Sequence, residues 1–322
     1  MLLNTPLRIG SKTIKNRIVI PPMMTFGFGA PAAGVSERHL SHYALLGKGG
    51  AGLLIVEAST VSGLVPPSRN CVDLWDDRFI PGLSALAKVC KQDGSVALVQ
   101  MMHRGFDGYE DPAASDIPEE LLVRIPKAYA EAGLRCKQAG FDGVELHGAH
   151  GFFLCKLIAS GRADIAAKGI EAVHAACGED FIVGIRTSCA EPDYAAALRN
   201  AKLFEQSGAD YLSISSGVAP VPAPPEGFAY SDTIYGASLV HDSVGIPVFC
   251  VKNVRTGEQA EGILQAGYAD GVCIGKGALA DPDWANKALR EEAVATCLDC
   301  KDCKWFVDGH DCPRRVQLGL QV

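Results

Sequence analysis

The sequence of 322 residues predicts an α/β protein, a (β/α)8 TIM barrel with a short C-terminal cysteine-rich tail. Eight short runs rich in Val, Ile and Leu recur, and each is continuously apolar, as expected for parallel strands buried on both faces. Segments of helical period separate them, and eight β-then-α units favour a closed barrel. A doubly wound open sheet is the alternative, but no GxGxxG motif follows the first run. We place the barrel at residues 1–294 and the tail at 295–322.

The elements follow in a simple order. LRIGSKTIKNR (7–17) predicts a small hairpin before the barrel. The helical segments include PGLSALAKVCKQDG and GEQAEGILQAG, each ending in a C-cap glycine. The predicted barrel strands are RIVIPP (17–22), GLLIVEAS (52–59), SVALVQMMH (95–103), GVELHG (143–148), FIVGIRTS (181–188), YLSISSG (211–217), IPVFCVKN (246–253) and GVCIGKG (271–277).

The composition argues against two classes of binding partner, nucleic acids and anionic membranes. The net charge is −7, and no stripe of lysine or arginine offers a footprint for nucleic acid or an anionic membrane. No run approaches the ~18 consecutive apolar residues of a membrane span, and the first residues lack the order of a signal peptide. We therefore expect a cytoplasmic protein that binds a small molecule or another protein. The sequence leaves a homo-oligomer open.

The chemistry of such a barrel belongs at the carboxyl ends of its strands. The loops after strands seven and eight often hold a phosphate, and Gly275 with Lys276 provides backbone N–H groups and a cation there. The other ends offer donors and acceptors without a carboxylate cluster, which suits a planar ring with carbonyl groups, such as flavin mononucleotide (FMN). The strand-end residues that we expect to contact this cofactor are Pro22, Met23, Thr25, Ala58, Gln100, Arg186, Gly217, Lys252, Asn253, Gly275 and Lys276.

Six motifs then carry a family resemblance. PPMMT, VEAS, VQMMH, GFDGVELHGAHG, GIRTS and DGVCIGKGALADPDW resemble, in order and spacing, the old yellow enzyme family of FMN oxidoreductases. The resemblance covers essentially the whole chain. It implies that Gln100 bonds the flavin pyrimidine, that Arg186 lies near N1 and O2, and that Gly275 and Lys276 hold the phosphate. Residues lining the ring would be Pro22, Met23 and Ala58.

The same resemblance gives a role to the pair His147 and His150. In the family, two histidines at the end of strand four donate hydrogen bonds to a substrate oxygen, so that hydride from flavin N5 adds to the conjugated carbon. Fixed donors of this kind stabilise the developing charge. A metal site is a weaker interpretation, because the strand ends offer no obvious third ligand. A purely structural role in a turn stays open.

The sequence departs from the family at the proton donor. Family ene-reductases usually carry a tyrosine two residues after the second histidine, and here that position is Phe152. Other candidate donors are Tyr109, Tyr235, Cys155 and the pair Arg162 and Asp164, and we include this pair among the candidate catalytic residues. A second departure is Lys252-Asn253, where a glycine pair is usual. Its lysine would replace backbone N–H groups as a point charge.

The tail contains Cys297, Cys300, Cys303 and Cys312, spaced C-x2-C-x2-C-x8-C, with proline after the last. This spacing is similar to ferredoxin ligand runs, and the tail resembles the branch that includes 2,4-dienoyl-CoA reductase and trimethylamine dehydrogenase. Those relatives carry a [4Fe–4S] cluster just after the barrel, with one more residue between the second and third cysteines. Structural zinc and unligated thiols remain alternatives. We expect the eight scattered cysteines to be packing residues.

We expect a flavin-dependent oxidoreductase that reduces an activated C=C bond of a small conjugated carbonyl compound or thioester. Amine oxidation, as in the dehydrogenase and demethylase relatives, and a non-catalytic electron-transfer role are the alternatives. Because the sequence ends ten residues after Cys312, we expect no nicotinamide-binding domain of its own. Electrons would then come from NAD(P)H above the flavin, or from a donor protein through the cluster.

Overall fold

The structure is a computed structural model that describes residues 1–29, 34–63, 72–106 and 117–320. Eight parallel strands close into a barrel in the order β10-β3-β4-β5-β6-β7-β8-β9, which confirms the predicted (β/α)8 fold. The barrel strands are β3 (Ile18–Ile20), β4 (Leu53–Thr60), β5 (Val96–Met102), β6 (Gly143–Gly148), β7 (Ile182–Ser188), β8 (Tyr211–Ser215), β9 (Val248–Cys250) and β10 (Gly271–Cys273).

A two-stranded antiparallel hairpin precedes the barrel, as predicted, with β1 at Leu7–Ile9 and β2 at Lys12–Ile14. Its side chains Ile9 and Ile14 are fully buried against the inward-facing apolar residues of the barrel strands. The hairpin therefore packs against one end of the barrel interior, and it is the opposite end that is left to bind a ligand.

Helices surround the strands. Several begin at a side-chain cap: Ser36 accepts from the backbone N–H of His39, and Thr256 from that of Gln259. None of the described helices is long and apolar enough to cross a membrane. Their bounds are α1 (Glu37–Lys48), α2 (Ile80–Cys90), α3 (Glu119–Leu122), α4 (Ile125–Gln138), α5 (Phe153–Ala159), α6 (Ala163–Cys177), α7 (Tyr194–Gln206), α8 (Asp232–His241), α9 (Gly257–Gln265), α10 (Lys276–Ala280), α11 (Trp284–Leu289) and α12 (Pro313–Leu318).

One glycine of the barrel makes room for a large side chain. A Cβ atom at Gly184 on β7 would lie 2.2 Å from ring atoms of Tyr211 on β8. Because Gly184 has no side chain, the Tyr211 ring can lie over β7 and reach the strand beyond it, β6. Tyr211 is fully buried in the barrel interior.

The tail docks on the barrel through a buried arginine. Arg315 of α12 is fully buried, and its Nε donates to the carbonyl oxygen of Leu279, at 2.7 Å. One of its terminal nitrogens is 3.2 Å from Nδ1 of His42, and its guanidinium lies over the Trp305 ring, 4.9 Å from the centroid. These contacts join the tail to α1 and to the segment after β10.

Candidate active site

A cavity of about 660 Å³ lies at the carboxyl ends of the barrel strands. Its walls combine apolar side chains from the loop after β3 with polar and charged groups from the later strands. The concave shape and mixed lining are typical of a small-molecule or cofactor site. Of the predicted cofactor contacts, those that line it are Pro22, Met23, Arg186, Lys252, Asn253, Gly275 and Lys276.

The other four predicted contacts lie outside this lining. The backbone N–H and hydroxyl of Thr25 donate to Oε2 of the buried Glu57, at 2.6 and 2.5 Å. Ala58 packs with Met102 and Met24, and Met24 also lines the cavity. A Cβ atom at Gly217 would lie 1.7 Å from the Glu191 carboxylate, so this glycine lets the loop after β8 approach that acid. The fourth, Gln100, belongs to a buried hydrogen-bond network.

That network centres on Glu145 of β6, which is fully buried inside the barrel. Its Oε1 accepts from Nε2 of Gln100 at 2.8 Å, and its Oε2 accepts from the hydroxyl of Tyr211 at 3.0 Å. Burial raises the pKa of Glu145, while Arg186 and the two hydrogen bonds act in the opposite direction. The roles of Glu145 and Tyr211 were not predicted from the sequence. A charged residue within the otherwise apolar run GVELHG was the one sequence feature that pointed to Glu145.

Arg186 lines the cavity with a guanidinium group whose N–H donors are only partly paired. Its side chain is only 5% exposed, and one terminal nitrogen donates to Oγ of Ser215 at 3.4 Å. Its Nε and Nη1 atoms have no hydrogen-bond partner among the residues that the structure describes. Because unpaired buried N–H groups are costly, this arrangement favours an acceptor atom supplied by a ligand.

His147 and His150 lie together beside this arginine, with ring centroids 5.3 Å apart. Burial, His150 and Arg186 all lower the pKa of His147 well below its ordinary value. Partial burial and Arg186 lower the pKa of His150 to about 4. Both rings are therefore neutral near pH 7, which leaves each with one donor and one acceptor nitrogen. His150 Nε2 is 2.7 Å from Oγ of Ser215. The Nδ1 of His147 has no partner among the described residues.

The candidate proton donors are scattered. Tyr109 lies outside the described residues, and Tyr235 packs against other aromatic rings. Burial raises the pKa of the Cys155 thiol to about 11. The structure does not bring Arg162 and Asp164 to the cavity lining: they pair with each other at 3.1 Å at the start of α6. Arg162 also binds Glu119, at 3.0 Å.

The end of the cavity near β9 and β10 is rich in charge. Lys252 has φ +101° and Asn253 φ +61°, so two non-glycine residues adopt the left-handed conformation that a glycine pair would favour. The ammonium group of Lys252 is 2.7 Å from the Asp232 carboxylate, so this lysine is ion-paired, and its expected role as a point charge toward a phosphate stays a prediction. Arg255, which the sequence analysis missed, also lines the cavity.

A carboxylate from the tail lies among these cations. Asp299 pairs with Arg255, and its Oδ1 is 3.2 Å from Nζ of Lys276. All three side chains line the cavity. Asp299 lies between Cys297 and Cys300, so the pairs connect the cysteine loop to the end of the cavity where a phosphate is expected.

The four tail cysteines line one smaller cavity of about 320 Å³, and two of them, Cys297 and Cys303, also line the larger one. They are partly exposed, whereas the seven other cysteines that the structure describes are buried, as predicted for packing residues. Within the described ranges, no three His, Cys, Asp or Glu side chains are arranged to hold a metal ion. The ligand set Cys297, Cys300, Cys303 and Cys312 thus stays a prediction.

Known structures share this fold. A 2-naphthoyl-CoA reductase complex superposes with a TM-score of 0.83 at 19% identity, over 95% of this chain and 56% of that one. The old yellow enzyme homologue from Zymomonas mobilis gives a TM-score of 0.79 at 20% identity, over 97% of this chain and 99% of the other.

Sequence relatives identify the family. An NADH oxidase of Thermoanaerobacter brockii is 30% identical over 339 residues, which cover 91% of this chain and 52% of the relative. An NADPH dehydrogenase of Geobacillus sp. (strain WCH70) is 30% identical over 329 residues, covering 90% and 94%. This chain thus spans about half the length of the NADH oxidase. The family model described as NADH:flavin oxidoreductase / NADH oxidase matches residues 2–120 and 115–293. The chain therefore belongs to this family, that of the old yellow enzymes.

Proposed function

We propose that the protein binds FMN and reduces an activated C=C bond of a small conjugated carbonyl compound or thioester. The observation that carries the proposal is the meeting of two neutral histidines with cavity residues: His147 is paired with the half-unpaired Arg186 across β6 and β7, and His150 contacts Ser215, while Arg186 and Ser215 line the cavity. These groups offer hydrogen-bond donors. Such donors stabilise an oxygen that gains negative charge.

The cavity residues fit FMN. Unpaired N–H groups of Arg186 suit a carbonyl-bearing edge, and Pro22 and Met23 form an apolar wall suited to a flat ring. The cations Arg255 and Lys276 stand at the end where a phosphate would lie. When bound, the flavin supplies the hydride. The names of the sequence relatives, NADH oxidase and NADPH dehydrogenase, favour NAD(P)H as the source of electrons.

The chain's own task is to hold and polarise the substrate. His147 or His150 donates a hydrogen bond to the substrate oxygen. Both rings are neutral, so each acts as a hydrogen-bond donor that keeps its proton after the reaction. Phe152 and Val218, which are 45% and 60% exposed, provide apolar surface for the carbon skeleton beside them. This combination suits a substrate with one polar oxygen on an apolar body.

The test compares the histidine variants His147→Ala and His150→Ala with the wild type, in protein reconstituted with FMN and assayed anaerobically on a panel of enones and enoyl thioesters. Each variant should lose on the order of 10²-fold in turnover while its flavin content stays near normal. His174→Ala is the matched control, since His174 lies on the helix α6 and contacts the carbonyl oxygen of Gly208 and the carboxylate of Asp210. Folded wild-type protein that takes up no FMN would refute the proposal.

Amine oxidation is the second candidate, and Phe152 is the observation that favours it. A phenyl ring at the position of the usual tyrosine suits a reaction that needs no proton delivered to a substrate carbon. Reduction of the bound flavin by methylated amines, together with no oxidation of the reduced flavin by any enone or thioester, would select this candidate. Rapid electron exchange with a donor protein but with neither substrate class would indicate an electron-transfer role instead.

We further propose that Cys297, Cys300, Cys303 and Cys312 hold a [4Fe–4S] cluster, with zinc as the alternative. The donors fit by chemistry: four thiols line one cavity, and the buried guanidinium of Arg315 lies nearby with one nitrogen unpaired among the described residues. A thiolate-bound metal centre carries net negative charge, which such a cation offsets. Analysis of iron, sulfide and zinc after anaerobic purification decides between the metals. Cys300→Ser should lose the metal and retain FMN.

The same variant separates the two electron sources. With NADPH as donor, unchanged flavin reduction in Cys300→Ser would mean that the nicotinamide reacts at the flavin directly. Loss of turnover driven by a ferredoxin-like donor in that variant would mean that the cluster carries those electrons.

A further inference from the structure

Glu145 lies where it can control the groups beneath the cavity, although it does not line the cavity itself. It is fully buried, and each of its carboxylate oxygens has one donor, Gln100 on one side and Tyr211 on the other. Gln100 and Glu145 are directly paired in the register of β5 and β6. The contact between the two side chains is therefore fixed by the ladder of the barrel.

The second contact, between Tyr211 and Glu145, is possible because Gly184 has no side chain. β7 lies between β6 and β8, and Glu145 is paired with Gly184 of β7, which is paired in turn with Tyr211 of β8. Only because position 184 is glycine can the Tyr211 hydroxyl cross β7 to the carboxylate. Three strands thus hold Glu145 in one orientation.

This orientation determines which atoms of Gln100 remain available. A carboxylate only accepts hydrogen bonds, so the amide nitrogen of Gln100 faces Glu145. The carbonyl oxygen of Gln100 and its second N–H are left for another partner. The pyrimidine edge of a flavin alternates a ring N–H with carbonyl oxygens, and so it needs an acceptor and a donor side by side.

Glu145 also offsets part of the positive charge of Arg186. Arg186 follows two residues after Gly184, the β7 partner of Glu145, so the two buried side chains lie on the same face of neighbouring strands. The guanidinium lowers the pKa of the Glu145 carboxyl, against the effect of burial. A carboxylate at this depth offsets part of the guanidinium charge, and little water is present to screen either group.

We propose that Glu145 is a positioning residue that fixes the amide of Gln100 for the flavin pyrimidine and offsets the charge of Arg186, so that it sets both the affinity for FMN and the reduction potential of the bound flavin. The inference rests on the proposed binding of FMN. It assigns Glu145 no contact with the substrate and no proton transfer.

The test uses the near-isosteric Glu145→Gln, with FMN affinity from fluorescence titration and the midpoint potential from a dye-equilibrated reductive titration. The variant should bind FMN about tenfold more weakly, because a neutral amide accepts a weaker hydrogen bond from Gln100 and can also turn its own NH2 group toward it, so the Gln100 amide is no longer held in one orientation. Its midpoint potential should shift to a more positive value, because removing a negative charge favours added electrons. Tyr211→Phe is the graded comparison: it removes one of the two donors that orient Glu145 but keeps the Gln100 contact, so its loss of FMN affinity should be smaller than that of Glu145→Gln.

A double variant tests whether Glu145 acts through Gln100. In a Gln100→Leu background, Glu145→Gln should have little further effect on FMN affinity, while the shift in potential should persist. Unchanged affinity and potential in a folded Glu145→Gln protein would overturn the inference. So would an affinity loss that is just as large in the Gln100→Leu background. If Glu145→Gln does not fold, Gln100→Leu alone must show the same affinity loss. Failure of the wild type to bind FMN would instead refute the proposed function.

Discussion

The ring of Phe152 lies against the ring of His147, with centroids 4.9 Å apart and planes inclined at 47°. Phe152 is also 45% exposed, so its ring edge is accessible from outside the protein. The position expected to hold a tyrosine in an ene-reductase is thus adjacent to the candidate substrate donors, and the hydroxyl is what is missing.

Phe152→Tyr should therefore increase the rate of enone reduction. A phenol beside His147 provides a general acid, and groups of this kind contribute about 10² or more to a rate. The measurement is anaerobic stopped-flow oxidation of the reduced protein by 2-cyclohexenone. Phe152→Leu, which removes the ring without adding a hydroxyl, is the control. Equal rates for the wild type and Phe152→Tyr would show that the proton comes from elsewhere.

His103 should make the protein less stable in mild acid. It is 2% exposed and accepts a hydrogen bond from the N–H of Gly105, and burial lowers its pKa from 6.5 to about 4. Between these values the unfolded chain binds a proton that the folded protein does not. The free energy of unfolding should therefore fall by about 1.4 kcal/mol for each pH unit as the pH drops from 6.5 to 4 on account of this residue.

Urea unfolding at a series of pH values measures this slope. His103→Asn keeps an acceptor for Gly105 but cannot bind the proton, so its stability should depend less on pH in that window. A slope identical to that of the wild type would mean that His103 is already protonated in the folded protein, or exposed to water.

Arg315→Met should release the tail while leaving the barrel folded. The substitution removes the donors to Leu279 and His42, and charged hydrogen bonds of this kind contribute about 1.5–3 kcal/mol each. Limited proteolysis with mass spectrometry should then show faster cleavage near residues 290–300. Lys301→Met, on the exposed side of the tail, is the control. Equal cleavage rates in the two variants would exclude Arg315 as the anchor.

Gly184→Ala should destabilise the barrel by about 3 kcal/mol, because the new methyl group overlaps the Tyr211 ring. Tyr211→Leu removes that ring at the cost of the Glu145 hydrogen bond. The double variant should be more stable than the sum of the two losses predicts, since the overlap no longer exists. Chemical unfolding of the four proteins measures the coupling. Strictly additive losses would contradict the close approach of Gly184 and Tyr211.

The fold was predictable because its signals are local. Each buried parallel strand appears as one apolar run, and the segments between the strands show the period of helices. The position of the cavity was also predictable, since the carboxyl ends of barrel strands converge whatever their sequence. Arg186 and Gly275, from two different strand ends, do line one cavity.

The groups that the sequence did not reveal depend on register and on distant contacts. Glu145 is one residue of an apolar strand, and its importance arises only when Tyr211 crosses Gly184. Arg315 reaches His42 across more than 270 positions of sequence, which no local pattern encodes. Lys252 keeps a glycine-like backbone without being glycine, and its side chain pairs with Asp232, twenty positions earlier, which no local pattern indicates.

Asp299 would compete with the cofactor for its cations if FMN binds as proposed. Its carboxylate pairs with Arg255 and Lys276, the two cations that face the expected phosphate position. Binding of a phosphate there would replace one anion by another, and the tethered carboxylate would compete at high effective concentration. That carboxylate belongs to the loop between Cys297 and Cys300, so flavin binding and the freedom of that loop would be linked equilibria.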